Sequence, residues 1–168
     1  MGSERVRLGG TFVLTGLGPD GEVKWVEEAK NLVPNVALQH LINTGILTAT
    51  QVSKWYVAPT AATPVVAAAD TMGGHSGWTE FTGYSQTVRQ SWTGARSGQV
   101  ISNAAALASM AITTTGTLGG AFIVSDSTKG GATGVLFCGG ANTGSNRSVS
   151  SGDTVTVRYS FTAADDGV

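Results

Sequence analysis

The sequence predicts a mainly β protein, an antiparallel β-sandwich or jelly roll with one short helix. Runs of alternating or β-branched residues recur between glycine-rich turns, as in sandwiches and barrels. Just one segment has the three- and four-residue apolar spacing of an amphipathic helix. Glycine contributes 24 of the 168 residues, whereas charged residues are only 12% of the chain, about half the usual ~25%. The length fits a single domain, 1–168.

The N-terminal segment predicts a β-hairpin over 4–28. Its first strand is rich in β-formers and is interrupted by the pair Gly9-Gly10, which suggests a bulge. The sequence Gly-Pro-Asp-Gly at 18–21 has the chemistry of a turn, because proline fixes φ, aspartate bonds to the nearby backbone and glycine accepts a positive φ. Alternating polar and apolar residues then predict the second strand.

The helix is predicted over 34–44, where apolar residues recur at helical spacing. Pro34 suits the first helical turn because its missing N–H needs no partner there. Gly45 suits the position just past the C-terminus. These start and stop signals bound the helix on both sides.

The β core is predicted over 53–162. A first strand at 54–58 is expected to end at Pro59, and the Ala-, Thr- and Gly-rich stretch 60–77 predicts an extended, exposed excursion. Two later strands are apolar on both faces, as in the centre of a sandwich, and the last alternates cleanly. These later strands are predicted at 100–103, 110–113, 120–124, 134–138 and 154–161.

The motifs that resemble catalytic or cofactor sites have simpler explanations. The glycines at 16–21 match a dinucleotide-binding pattern, but they precede a strand rather than a helix, so a hairpin turn is favoured. A nucleophile elbow at His75-Ser76 would need glycine where Trp78 stands. Two histidines, one cysteine and scattered carboxylates give no metal-ligand spacing. We therefore expect no enzymatic activity, no cofactor and no metal.

Charge and hydropathy limit the partners. Eleven acidic and ten basic residues give a net charge of -1, so nucleic acid is not an expected partner. No run approaches the ~20 apolar residues of a membrane helix, and no secretory signal is visible, so no membrane partner is expected. The single cysteine, Cys138, cannot form an internal disulfide and is expected to be a small buried residue.

The aromatic segment, defined as residues 78–92, is the candidate functional region. Aromatic side chains fill cores, supply rigid contact area at interfaces and form platforms for sugar rings, so core and interface remain open for this segment. The candidate interface residues are Trp78, Phe81, Tyr84, Arg89 and Trp92.

Four stretches together resemble a known family, that of the small virion-associated proteins of tailed bacteriophages and prophages. They are Lys30-Asn31-Leu32-Val33, Lys54-Trp55-Tyr56-Val57, Gly77 to Tyr84 followed by Arg89 and Trp92, and Gly120 to Gly131 with the strand after Ser151-Gly152-Asp153. The resemblance is one of overall pattern across most of the chain, and it carries over no catalytic residue.

The resemblance implies a β-rich accessory protein, such as a capsid cement or decoration protein on the outside of a tailed-phage head. The implied partners are the major capsid protein and further copies of the chain, as a dimer or trimer. The protein would be made in the bacterial cytoplasm and end on the capsid surface of the virion. The alternative is a head- or tail-fibre module that binds a host glycan, or a protein of the head–tail junction.

Overall fold

The computed structural model describes residues 5–165, which form one antiparallel sheet of twelve strands and one helix. Strand residues make up 51% of the structure and helical residues 7%, so the predicted mainly β architecture with a short helix is confirmed. The elements are β1 (Val6–Leu17), β2 (Val23–Leu32), α1 (Asn35–Gly45), β3 (Trp55–Ala61), β4 (Thr79–Glu80), β5 (Gln90–Trp92), β6 (Ala95–Ser97), β7 (Val100–Ser102), β8 (Ala108–Ala111), β9 (Gly116–Val124), β10 (Leu136–Asn142), β11 (Arg147–Val149) and β12 (Thr154–Asp165).

The sheet runs in the order β4-β3-β9-β10-β2-β1-β12-β7-β6, and the remaining short strands share edges with these. Three strands separate β1 from β3 in this order, yet Phe12 on β1 and Val57 on β3 belong to one buried cluster. The sheet therefore folds over on itself. The edge strands β5 and β6 are consecutive in the chain but are not paired with each other, so the sheet does not close.

The longest strand pairing of the sheet joins the first and the last long strands. Strand β1 pairs with β12 along its whole length, from Val6 opposite Asp165 to Leu17 opposite Thr154, without a register shift. The bulge expected at Gly9-Gly10 is therefore wrong, and the irregularity lies instead at Gly16/Leu17, opposite β2. Gly10 serves packing, since a β-carbon there would lie 2.5 Å from the Tyr159 hydroxyl.

The predicted hairpin turn is confirmed, although the hairpin extends beyond 28. The Gly21 N–H donates to the Gly18 carbonyl at 2.9 Å, and Gly21 has a φ of 83°. The Asp20 Oδ1 atom accepts from the Glu22 N–H at 3.0 Å. Strand β2 continues to Leu32 because its second half pairs with β10.

Helix α1 lies one residue later than predicted, at Asn35–Gly45. Pro34 is the N-cap with an extended backbone, and Gly45 is the last helical residue. The helix contacts the sheet through Ala37, which is fully buried, and through Leu41, which is partly buried against the core.

Strand β3 does not end at Pro59 as predicted; it continues to Ala61. Within a strand, the N–H and C=O of one residue point to the same side, and the Pro59 carbonyl accepts from the Phe81 N–H at 2.9 Å. The missing N–H of Pro59 therefore faces the side of β3 that pairs first with β5, up to Val57, and then with β4, from Thr60. These are short edge strands, and proline is tolerated at the edge of a sheet.

The stretch 60–77 is only partly the exposed excursion that was predicted. It packs back onto the sheet, where Met72 and Trp78 form a second apolar cluster with Phe122. Strand β9 is consequently buried on both faces, one by the folded-over sheet and the other by this stretch. This explains its continuous apolar sequence.

Candidate functional site

The structure places four of the five candidate interface residues inside the subunit. Their exposed fractions are 5% for Trp78, 7% for Phe81, 2% for Tyr84 and 1% for Arg89. Trp92 is half-buried. Four of these side chains therefore shape the aromatic segment from within and offer little surface to a partner.

A buried ion pair fixes the aromatic segment. The Arg89 side chain is fully buried and that of Glu80 is 6% exposed, and Arg89 Nη2 lies 2.8 Å from Glu80 Oε2. The guanidinium also donates to the carbonyls of Asp126 and Gly131, at 3.0 and 2.6 Å. The Gly130 N–H donates to Glu80 Oε2 at 2.9 Å. These bonds satisfy the buried charges and hold the loop after β9 against the segment.

Tyr84 extends this network. Its hydroxyl donates to Glu80 Oε1 at 3.2 Å, and burial, reinforced by the Glu80 charge, raises its pKa well above the ordinary value. Lys129 Nζ donates to the Tyr84 carbonyl at 2.8 Å and lies 4.5 Å from the centre of its ring. Tyr84 therefore joins the segment to the same loop by a second route.

Trp78 is buried among other ring systems. The His75 ring stacks on it at 3.7 Å, and the Phe122 ring lies 4.8 Å away on strand β9. Its Nε1 donates to Asp70 Oδ2 at 3.1 Å. A sugar platform needs an open aromatic face, and the 5% exposure of Trp78 leaves none.

His75 of the candidate nucleophile elbow and the nearby acids Asp70 and Asp126 are engaged in structural contacts. His75 Nδ1 lies 3.0 Å from the Trp78 carbonyl. Asp70 also accepts from the Ala67 N–H at 3.0 Å, which closes a local turn. Asp126 accepts from the Thr133 hydroxyl at 2.5 Å and from the Thr128 N–H at 2.6 Å, and these bonds lower its pKa to about 2. The two aspartates thus stabilise separate loops.

Cys138 is buried on β10 beside Tyr159 and Asn31. Burial raises the pKa of its thiol to about 12. The Asn31 side-chain N–H donates to the Tyr159 hydroxyl at 2.8 Å, and burial, with a contribution from Cys138, raises the pKa of Tyr159. The predicted small buried cysteine is confirmed. A neutral, buried thiol is unreactive.

A cavity of about 160 Å³ lies between α1 and the sheet, close to the gap where the sheet does not close. Trp92 lies on the edge strand β5 at this gap, opposite Trp55 in the register of β3 and β5. His40, Thr44 and Gln51 contribute polar atoms to the lining. We call this cavity the aromatic cavity, because four aromatic residues line it: Trp55, Trp92, Phe137 and Phe161.

Exposed apolar residues lie on and just after α1, the helix that forms one wall of this cavity. Ile42, Ile46 and Leu47, called the apolar patch below, are 57%, 81% and 59% exposed at the end of α1 and just beyond it. The chain from 35 to 53 contains no aspartate, glutamate, lysine or arginine. Clustered exposed apolar residues on an uncharged surface are typical of a contact with another protein.

Sequence reasoning did not find the aromatic cavity or the apolar patch. The cavity is built from residues on α1, on the segment that follows it and on six strands, so no local pattern reveals it. A signal for the patch was present, because Ile46 and Leu47 follow the helix-ending Gly45, where the helical period no longer buries them.

Within residues 5–165 no group of three or more histidines, cysteines or carboxylates is placed to hold a metal ion. In that same range, no helix has the length and apolar character needed to cross a membrane. No protein-family model matches the chain, and no curated protein matches it significantly.

Proposed function

We propose that this protein is a structural component of a tailed-phage virion, a cement or decoration protein that binds the outside of the head and stabilises the coat lattice. It would act by binding, without catalysis or a cofactor. The observation that carries the proposal is the exposed, uncharged outer side of the stretch 62–77, where Val65 is 70% exposed, on a subunit that forms its own buried core. The resemblance to small virion-associated proteins supplies the phage setting.

The buried charges support a scaffold role. Glu27 is 5% exposed and pairs with Arg147, whose Nε lies 2.7 Å from Glu27 Oε1. Asp153 is 2% exposed and accepts from Lys24 Nζ at 2.7 Å. These two contacts join residues far apart in the chain, and they hold β11 and the turn before β12 to β2. A rigid subunit loses little conformational entropy when it binds a lattice.

We assign the coat contact to the outer side of the stretch 62–77. Val65 is 70% exposed, yet its N–H donates to the Gly77 carbonyl at 2.9 Å, so the backbone beneath it is fixed. The neighbouring alanines 67–69 are exposed and uncharged. A small-residue surface of this kind packs on a neighbour without burying unpaired charge. The aromatic segment supports it from below through Trp78.

The test is rebinding of purified protein to phage heads that were assembled without it. The protein should co-sediment with the heads at a saturable, simple ratio to the coat protein. Val65→Glu should weaken this binding, because the new carboxylate would be desolvated at the contact. Val26→Glu, at a position 53% exposed on β2, is the matched control and should bind normally. Binding to tails alone, or to neither part, would contradict the proposal.

A further inference from the structure

We propose that two copies of this chain associate through the apolar patch, with Ile46 of each copy inserted into the aromatic cavity of the other. This deepens the proposed function, on which it rests for its biological setting, by assigning the contact between copies. Ile46 is 81% exposed, the highest value among the large apolar residues of the described chain. Burial of such a side chain is the expected driving force for association.

The size of the cavity favours a single side chain as its occupant. Cavities for drug-sized ligands measure about 300–1,000 Å³, whereas this one measures about 160 Å³. An engineered apolar cavity of about 150 Å³ accepts one benzene molecule. One isoleucine side chain is of this order of size, and the aromatic walls supply the apolar contact that it needs.

The charge distribution favours a second copy over an unrelated partner. No formal charge occurs from 35 to 53, so two identical surfaces meet here without like-charge repulsion. A partner with a charged contact surface would find no opposite charge in this stretch, and its own charges would be desolvated without compensation. The absence of charge therefore permits contact between two copies and disfavours a charged partner.

The position of Ile46 favours a reciprocal, two-fold arrangement. Ile46 lies between Thr44 and Gln51 in the chain, and both of these residues line the cavity. The projecting residue and the cavity therefore belong to one region of the surface. A two-fold axis places the same patch on both subunits, so each copy gives and receives one side chain. A ring would need the two features on different sides of the subunit.

The experiment is analytical ultracentrifugation of the full-length chain over a range of concentrations. The wild-type protein should show a monomer–dimer equilibrium. Ile46→Glu should weaken dimerisation about a hundredfold, since two symmetric insertions are lost and each is worth about tenfold. The matched control Val26→Glu should dimerise like the wild type. A wild-type protein that is monomeric throughout, or a trimer, would overturn the proposal, as would an Ile46→Glu variant that still dimerises.

A second variant tests the cavity itself. Thr44→Trp should fill the cavity and abolish dimerisation while the melting temperature of the subunit is kept. In addition, photo-leucine at position 46, an aliphatic diazirine side chain close in size to isoleucine, should label peptides that contain Trp55 or Trp92 of the other copy. Normal dimerisation of folded Thr44→Trp, or labelling only elsewhere, would contradict the insertion.

These results are separable from the proposed function. A monomer that binds phage heads would overturn the dimer and leave the virion role intact. A dimer that Ile46→Glu disrupts, but that binds no heads, would support the contact and contradict the virion role.

Discussion

Glu80 Oε2 accepts hydrogen bonds from two nitrogens of Arg89, Nε at 3.1 Å and Nη2 at 2.8 Å. Arg89 is also 5.3 Å from the centre of the Phe122 ring. The pair thus lies between the aromatic segment and the central strand β9. An arginine in such a pair is not replaceable by lysine, because lysine lacks the planar, forked set of donors.

Replacing Arg89 with methionine should destabilise the protein by about 3–5 kcal/mol, because it leaves the Glu80 carboxylate buried without its partner. Urea unfolding followed by tryptophan fluorescence measures this loss. The double variant Arg89→Met, Glu80→Gln should recover part of it. Replacement of the exposed Arg158 with methionine is the control and should change stability by less than about 0.5 kcal/mol. A similar effect at both arginines would contradict the role given to the pair.

Trp78→Ala should lower the stability of the isolated subunit by about 3–5 kcal/mol, the usual cost of truncating a buried tryptophan. For a chain of this length, this corresponds to a fall of about 6–20 °C in melting temperature. Differential scanning calorimetry measures it, with Val65→Ala as an exposed control. An unchanged melting temperature would mean that Trp78 does not belong to the core and would restore its side chain as a contact surface.

Gly120→Ala should destabilise the sheet, whereas Gly9→Ala should not. A β-carbon at Gly120 would clash with the Gly140 carbonyl on the paired strand β10, and neither backbone can move freely. The expected loss is about 1–3 kcal/mol or more. A β-carbon at Gly9 would meet nothing within 4 Å, so its expected change is within about 0.5 kcal/mol. Equal chemical-unfolding midpoints for both variants would contradict this account of Gly120.

Asp153 should make stability depend on acid pH. Burial alone would raise its pKa, but hydrogen bonds from the Lys24 ammonium and the Ser150 N–H, together with the Lys24 charge, lower it. Because its folded pKa is below the unfolded value of about 3.9, its stabilisation is present above that pH. It is lost as the pH falls through the folded pKa.

Asp153→Asn should therefore be less stable than wild type at pH 7, and the difference should shrink as the pH falls below about 4. Urea midpoints of both proteins between pH 2 and 7 test this. A difference that stays constant over this range would show that the carboxylate charge is not the source of the stabilisation.

The sequence was sufficient to predict the class of fold because the relevant signals are local. The turn at 18–21, the helix bounded by Pro34 and Gly45, and the alternation at 154–161 each depend on neighbouring residues alone. The prediction that the strand ends at Pro59 was wrong, because whether a strand tolerates proline depends on which neighbouring strand its missing N–H faces.

The site could not be predicted in the same way. Trp78 and Tyr84 have the composition of either a core or an interface, and contacts with distant residues decide between them. Arg89 is buried because Glu80 and the carbonyls of Asp126 and Gly131 surround it, and no spacing in the sequence brings these groups together. The aromatic cavity likewise exists only after the sheet folds over.

The proposed virion role is tested most directly by quantitative mass spectrometry of purified virions, which counts copies of this chain relative to the major coat protein. The account predicts one copy per coat subunit, or a fixed simple fraction of one. A count of about a dozen or fewer per particle would place the protein at a vertex, a portal or a tail, and would contradict its assignment as lattice cement.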